Sequence, residues 1–205
     1  MTAATPTSMP PLDHRLWVLA QPYLQVRRNA DHTWYSYHFA RTLAGLHPES
    51  QADVVGPAML LHDIGWSVVP PEKILESFGP RTRYPELRRL HETEGARLAG
   101  ELLDAVNHPS DRRAAILAII DGHDTRADAA SIEDAIVRDA DKLWRYTPFG
   151  LEVVSEWFGH DVPTQIALLA SWTEGRFFTA AGRHMALGLL AALRASHGEP
   201  VLPEI

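Results

Sequence analysis

The chain has 205 residues, 45% of them hydrophobic and 22% charged, a size and balance that suit one folded domain with a substantial core. A net charge of −7 leaves no basic face for sequence-independent binding to nucleic-acid phosphates, so an anionic ligand must meet a local cationic group or a metal. The absence of cysteine excludes disulfides and thiolate-bound zinc, and no stretch approaches the roughly 20 apolar residues that span a bilayer.

Met1–Pro11 has neither a basic start nor an apolar run, so it reads as a loose tail rather than a secretion signal, and a cytoplasmic protein is expected. A first helix is expected over Leu12–Val26. A second over Asp31–Leu46 stops before His47-Pro48, because proline disfavours helical geometry in its predecessor. A third covers Ser50–Ile64, with Gly65 as its C-terminal stop. Pro70, Pro71, Gly79 and Pro80 mark Trp66–Tyr84 as a loop holding a short helix near Glu72–Phe78. A long helix follows over Pro85–Val106, then one from Pro109 through Ile120. Ser131 is a helix N-cap with Asp134 in the first turn, and that helix runs to Tyr146 before Pro148. Further helices are expected within Leu151–Phe158, Pro163–Ser171 and Glu174–Ser196, and an irregular tail over 198–205. No alternating strand pattern occurs. The expectation is one all-α bundle over 12–197, with its motif region at 29–146 and a helical extension over 149–196.

Six side chains with affinity for metals fall on the apolar stripes of this pattern. His32 leads Ser36, Phe39 and Leu43; His62 follows Val55, Ala58 and Met59, with Asp63 next to it; His91 shares a stripe with Leu87, Leu98 and Leu102, where Gly95 leaves room for a close neighbour. His123 follows Ile116, Ile119 and Ile120, and Asp141 lies between Val137 and Trp144. A lone histidine on such a stripe is ordinarily a hydrogen-bonded core residue. Four imidazoles and two carboxylates are different, because a desolvated polar group without a partner costs several kcal/mol and no lysine or arginine shares these stripes. Convergence on one or two metal ions accounts for all six.

The order His32 … His62-Asp63 … Asp141 resembles the HD superfamily of metal-dependent phosphohydrolases, which carry H … HD … D on a helical bundle. His62-Asp63-Ile64-Gly65, Val69-Pro70, Ile74-Leu75 and His91 followed by Gly95-Ala96 resemble its HD-GYP branch. The resemblance implies that His32, His62, Asp63 and Asp141 hold a first metal, and that His91 and His123 hold a second bridged by Asp63. This mixture of imidazole and carboxylate suits two divalent transition-metal ions among Mn²⁺, Fe²⁺, Co²⁺, Zn²⁺ and Ni²⁺. Trp66 stands where HD-GYP proteins carry lysine, and no GYP triplet follows His123-Asp124, so a substrate smaller than a cyclic dinucleotide is expected.

The implied reaction is hydrolysis of a small phosphate ester, such as a nucleotide, by a metal-activated water, with catalytic Asp63 and with Asp124 moving a proton. Lys73, Arg126 and Lys142 are candidate substrate contacts, and Trp66 is a fourth because it follows the ligand pair directly. The stretch from Trp172 through Arg176 to His184 is expected to pack as a helix with solvated arginines rather than close over the pocket. Mixed-valent di-iron oxygenases of the HD fold use the same H … HD … H … H … D set, so oxygen chemistry stays open as the alternative. A purely structural metal site is disfavoured, since such sites ordinarily fill with four ligands.

Overall fold

A computed structural model describes residues 9–79 and 82–198 of the chain. It is an all-α domain, and among the described residues no strand occurs. The helices are α1 (Pro11–Ala20), α2 (Asn29–Leu46), α3 (Ala52–Leu61), α4 (Pro71–Ile74), α5 (Pro85–Ala105), α6 (Ser110–Ile120), α7 (Ile132–Leu143), α8 (Pro148–Phe158), α9 (Val162–Thr173) and α10 (Ala180–Ser196). Residues 1–8 and 199–205, which hold most of the two expected tails, lie outside the described residues. No described helix is long and apolar enough to cross a membrane.

The local chemistry explains where these helices start. Pro11, Pro71, Pro85 and Pro148 each occupy the first helical position, where a missing N–H leaves nothing unsatisfied. Ser131 accepts from the Asp134 amide as expected, and Thr147, Asp161 and Thr179 cap α8, α9 and α10 in the same way.

Packing is organised around α3, in which every residue from Val54 to Leu61 is buried. Its neighbours are α1, α2, α6 and α7, and α2 also lies along α7. A helix apolar on all sides belongs in a bundle centre. The side chains at its C-terminal end therefore open into the core rather than into solvent.

α1 ends at Ala20 rather than Val26 and α7 at Leu143 rather than Tyr146, and three further differences from expectation each have a local reason. α3 ends at Leu61, and the chain tightens through His62 and Asp63 into a 3₁₀ turn over Ile64–Val68; Gly65 lies inside that turn, not at a helix end. A Cβ on Gly65 would sit 1.9 Å from the His91 carbonyl oxygen, so glycine lets this turn lie directly on the α5 backbone. His123 falls beyond α6, in a turn that Gly122 enters at φ 139°, so the apolar stripe outruns its helix. Finally, α10 starts at Ala180 because the Asp139 carboxylate accepts from the amides of Phe178 and Thr179 and holds residues 174–179 out of helical form.

Candidate metal centre

The turn after α3 is the hub of the site. His62 donates from Nδ1 to the Met59 carbonyl at 2.8 Å, which leaves Nε2 facing inward. Asn29 donates to the Asp63 carbonyl at 3.2 Å and fixes the turn to the start of α2, one helical turn before His32. His123 repeats the His62 arrangement, with Nδ1 2.9 Å from the Ile120 carbonyl. A ring whose Nδ1–H is committed to a carbonyl presents Nε2 as a ligand atom.

The donor atoms fall into two groups that share one carboxylate. In the first, His32 Nε2 lies 3.0 Å from His62 Nε2, 3.4 Å from Asp63 Oδ2 and 3.3 Å from Asp141 Oδ1. His62 Nε2 is 3.6 and 3.7 Å from the same two oxygens. In the second, His91 and His123 present Nε2 atoms 3.4 Å apart, which lie 3.7 and 3.5 Å from the other oxygen of Asp63, Oδ1. Asp124 Oδ2 stands 3.9 Å from His91 Nε2 at the edge of this group.

These spacings fit metal coordination. Ligand atoms about 2.1 Å from one ion lie about 3.0 Å apart at right angles and about 3.4 Å apart in a tetrahedron. Two imidazole lone pairs facing each other at 3.0 Å repel unless a proton or another cation sits between them. Among the described residues His91 Nδ1 is buried with no hydrogen-bond partner, so no bond from that side fixes the ring's tautomer. The groups His32–His62–Asp141, His62–Asp63–His123 and His91–His123–Asp124 each bring donors close enough to share one ion.

Electrostatics point the same way. Burial would raise Asp63 and Asp141, but His62, His123 and His32 beside the first, and Arg145, His32 and His62 beside the second, hold both well below the usual carboxylate range. Burial works downward on His123 as well, yet Asp63 and Asp124 push it up to about 10. His91 goes the other way, to about 4, through burial and the neighbouring His123 charge. The cluster calls for positive charge, and imidazole protons meet that demand only in part.

A cavity of about 690 Å³ opens onto the cluster. Its inner wall includes His32, Asp63, His123, Asp124 and Asp141. Trp66, expected as a contact, lines it too: the ring stacks on His91 at 3.9 Å and its N–H donates to Asp63 Oδ1 at 3.0 Å. Burial would raise Asp124, but His123, His91 and Arg88 hold it below the usual range, and Arg88 Nε is 3.3 Å away.

The three expected cationic contacts do not line the cavity. Arg126 is consumed by the Asp134 carboxylate at 2.7 Å and by the carbonyls of Ala118 and Asp121. Lys142 turns to the Arg138 carbonyl and the Phe178 ring, and burial pushes it down to about 8. Lys73 lies over Tyr84 at 5.1 Å. Among the described residues the arginines that line the cavity are Arg27, Arg88, Arg145 and Arg176. Trp172 and Arg176 stand in its wall, so the segment expected only to pack contributes to the pocket after all. Arg145 carried a readable signal, four residues beyond Asp141 on the same helical face; Arg27 carried none.

A model of the HD domain family matches residues 29–145, more than half of the chain. Searches of curated proteins and of solved structures return no match.

Proposed function

The chain belongs to the HD domain family, whose members are generally metal-dependent hydrolases, and we propose that it is a two-metal phosphohydrolase acting on a small phosphate ester. The observation that carries this reading is the division of Asp63, whose Oδ2 faces His32 and His62 while Oδ1 faces His91 and His123. A carboxylate so divided is suited to serve two ions at once. In this assignment His32, His62, Asp63 and Asp141 would hold one divalent transition metal, and His91, His123 and Asp63 would hold the other. When bound, such ions lower the pKa of water and offset charge that builds on phosphoryl oxygens.

The remaining roles belong to the protein. Asp124, ionised and held by Arg88, accepts the proton that water gives up as its oxygen bonds to phosphorus. The bond from phosphorus to the ester oxygen breaks, that oxygen takes up a proton from solvent, and the products are phosphate and an alcohol. Arg88 and Arg145 place positive charge beside the acidic residues that the substrate's phosphate must approach. A cavity of about 690 Å³ has room for a molecule the size of a mononucleotide, and Trp144, Trp157 and Phe158 offer its organic part apolar walls.

The test combines metal content with activity. Protein purified without added metal is analysed for ions per chain, then assayed for phosphate release with Mn²⁺ or Co²⁺ and for oxygen uptake when loaded with iron. Two ions and phosphate release without oxygen uptake are expected, and Asp63→Ala should lose both metal and turnover. Oxygen consumption coupled to an organic substrate, with no phosphate released from any ester, would replace this reading by the oxygenase one.

A further inference from the structure

Two of the cavity's arginines are committed to carboxylates, Arg88 to Asp124 and Arg145 to Asp141. Arg176 stands at the exposed rim against Trp172. Arg27 differs from all three. Among the described residues it makes no hydrogen bond or ion pair, and its Nε is buried without a partner. Its guanidinium is enclosed instead by three rings, 4.8 Å from Phe78 and 5.0 Å from both Trp66 and Trp157.

The backbone is bent to place it there. Arg27 and Arg28 have φ of 46° and 58°, in the left-handed region that is unfavourable for a residue with a side chain. Arg28 uses this turn to reach Asp31 and Phe149 at the surface, while Arg27 enters the cavity. Strain of this kind persists where the surrounding structure fixes it, and it gathers at binding sites. Aromatic faces hold a guanidinium through its charge while leaving its in-plane N–H donors open. The acidic groups nearest in effect are Asp63, Asp124 and Asp141, of which Asp63 and Asp141 are assigned to metal. With cations in place, Arg27 loses much of its counter-charge and faces an electropositive pocket.

We propose that Arg27 is the charge-selecting residue of this cavity, taking oxygens of an anionic group on the substrate while its aromatic cage keeps it oriented. The proposal rests on the cavity being the substrate pocket. Arg27 and one ring of its cage, Trp157, lie outside the stretch matched to the family, whereas Trp66 and Phe78 lie within it.

Binding measured without turnover tests it. Phenylphosphonate and the uncharged benzyl alcohol are titrated into the full chain loaded with Mn²⁺, following intrinsic tryptophan fluorescence, which Trp66 and Trp157 should report. Arg27→Met should weaken phenylphosphonate at least tenfold and leave benzyl alcohol unchanged. Arg27→Lys, which keeps the charge but loses the planar fork, should weaken phenylphosphonate about threefold and serves alone if the methionine variant does not fold. Unchanged phenylphosphonate affinity, a parallel loss for both probes, or no binding of phenylphosphonate by the unaltered protein overturns the proposal. Selective loss of phenylphosphonate binding in a protein that releases no phosphate would sink the hydrolase reading alone. Phosphate release with Arg27-independent binding would sink this one alone.

Discussion

The indole N–H of Trp66 donates to Asp63 Oδ1 at 3.0 Å, and this is the same oxygen that faces His91 and His123. One side chain thus fixes the carboxylate with its polar edge and, stacked at 3.9 Å, fixes His91 with its face. Trp66→Phe keeps an aromatic ring and removes the donor. It should weaken the second metal about 10–100-fold and leave the first in place, measured as ions retained per chain after dialysis against graded chelator. Equal loss of both ions would show that Trp66 supports the fold rather than Asp63 Oδ1.

Asp124 is at the edge of the second donor group, and its proposed task is proton transfer. Asp124→Asn should lower kcat about 10²–10⁴-fold with two ions still bound. A fall to one ion per chain would make Asp124 a ligand instead.

Gly65 brings the hub turn onto α5, where a Cβ would stand 1.9 Å from the His91 carbonyl oxygen and 2.6 Å from the Gly95 amide. Backbone cannot give way as a side-chain tip can. Gly65→Ala should destabilise the protein by about 1–3 kcal/mol in urea denaturation and reduce bound metal, because Asp63 and His91 are pushed apart. Gly45 has open space around it, and Gly45→Ala is the control expected to bind metal normally.

Away from the site, burial holds the Asp13 carboxyl above its ordinary value, despite a 2.7 Å hydrogen bond from Tyr37 and the charges of Arg41 and His108. The folded pKa therefore exceeds the unfolded one. Below both values the proton is bound in either state; as pH rises from the ordinary carboxylate range through the folded value, the unfolded chain ionises first and stability falls. Asp13→Asn retains an acceptor for Tyr37 without the buried charge. Its Tm relative to the unaltered protein should rise between pH 4 and neutrality, and an unchanged difference across that window would contradict the assignment.

Much of the candidate site was readable from spacing because imidazoles and carboxylates on apolar stripes have few other uses. His32, His62, His91 and Asp141 each sit where the helical period places them, and Ser131 caps its helix as its residue type suggests. Spacing does not reveal which charged side chains turn inward. Arg126 and Lys142 neighbour His123 and Asp141 in sequence, yet Asp134 and the Arg138 carbonyl draw them away. Arg27 enters the cavity through a left-handed turn with no glycine to announce it. The role of Glu92 was also hidden: it accepts from the Asp124 and Thr125 amides, both at 2.8 Å, and so ties the turn bearing His123 to the helix bearing His91. Such pairings across more than thirty residues arise from packing, which periodicity along one helix does not encode.

The candidate metal donors all come from residues 32–141, whereas much of the facing wall of the pocket, from Val154 to Arg176, lies further along the chain, and Arg27 precedes both. Donor set and facing wall are thereby carried on consecutive lengths of polypeptide. Exchanging α8 and α9 reshapes that wall while every candidate donor stays where it is.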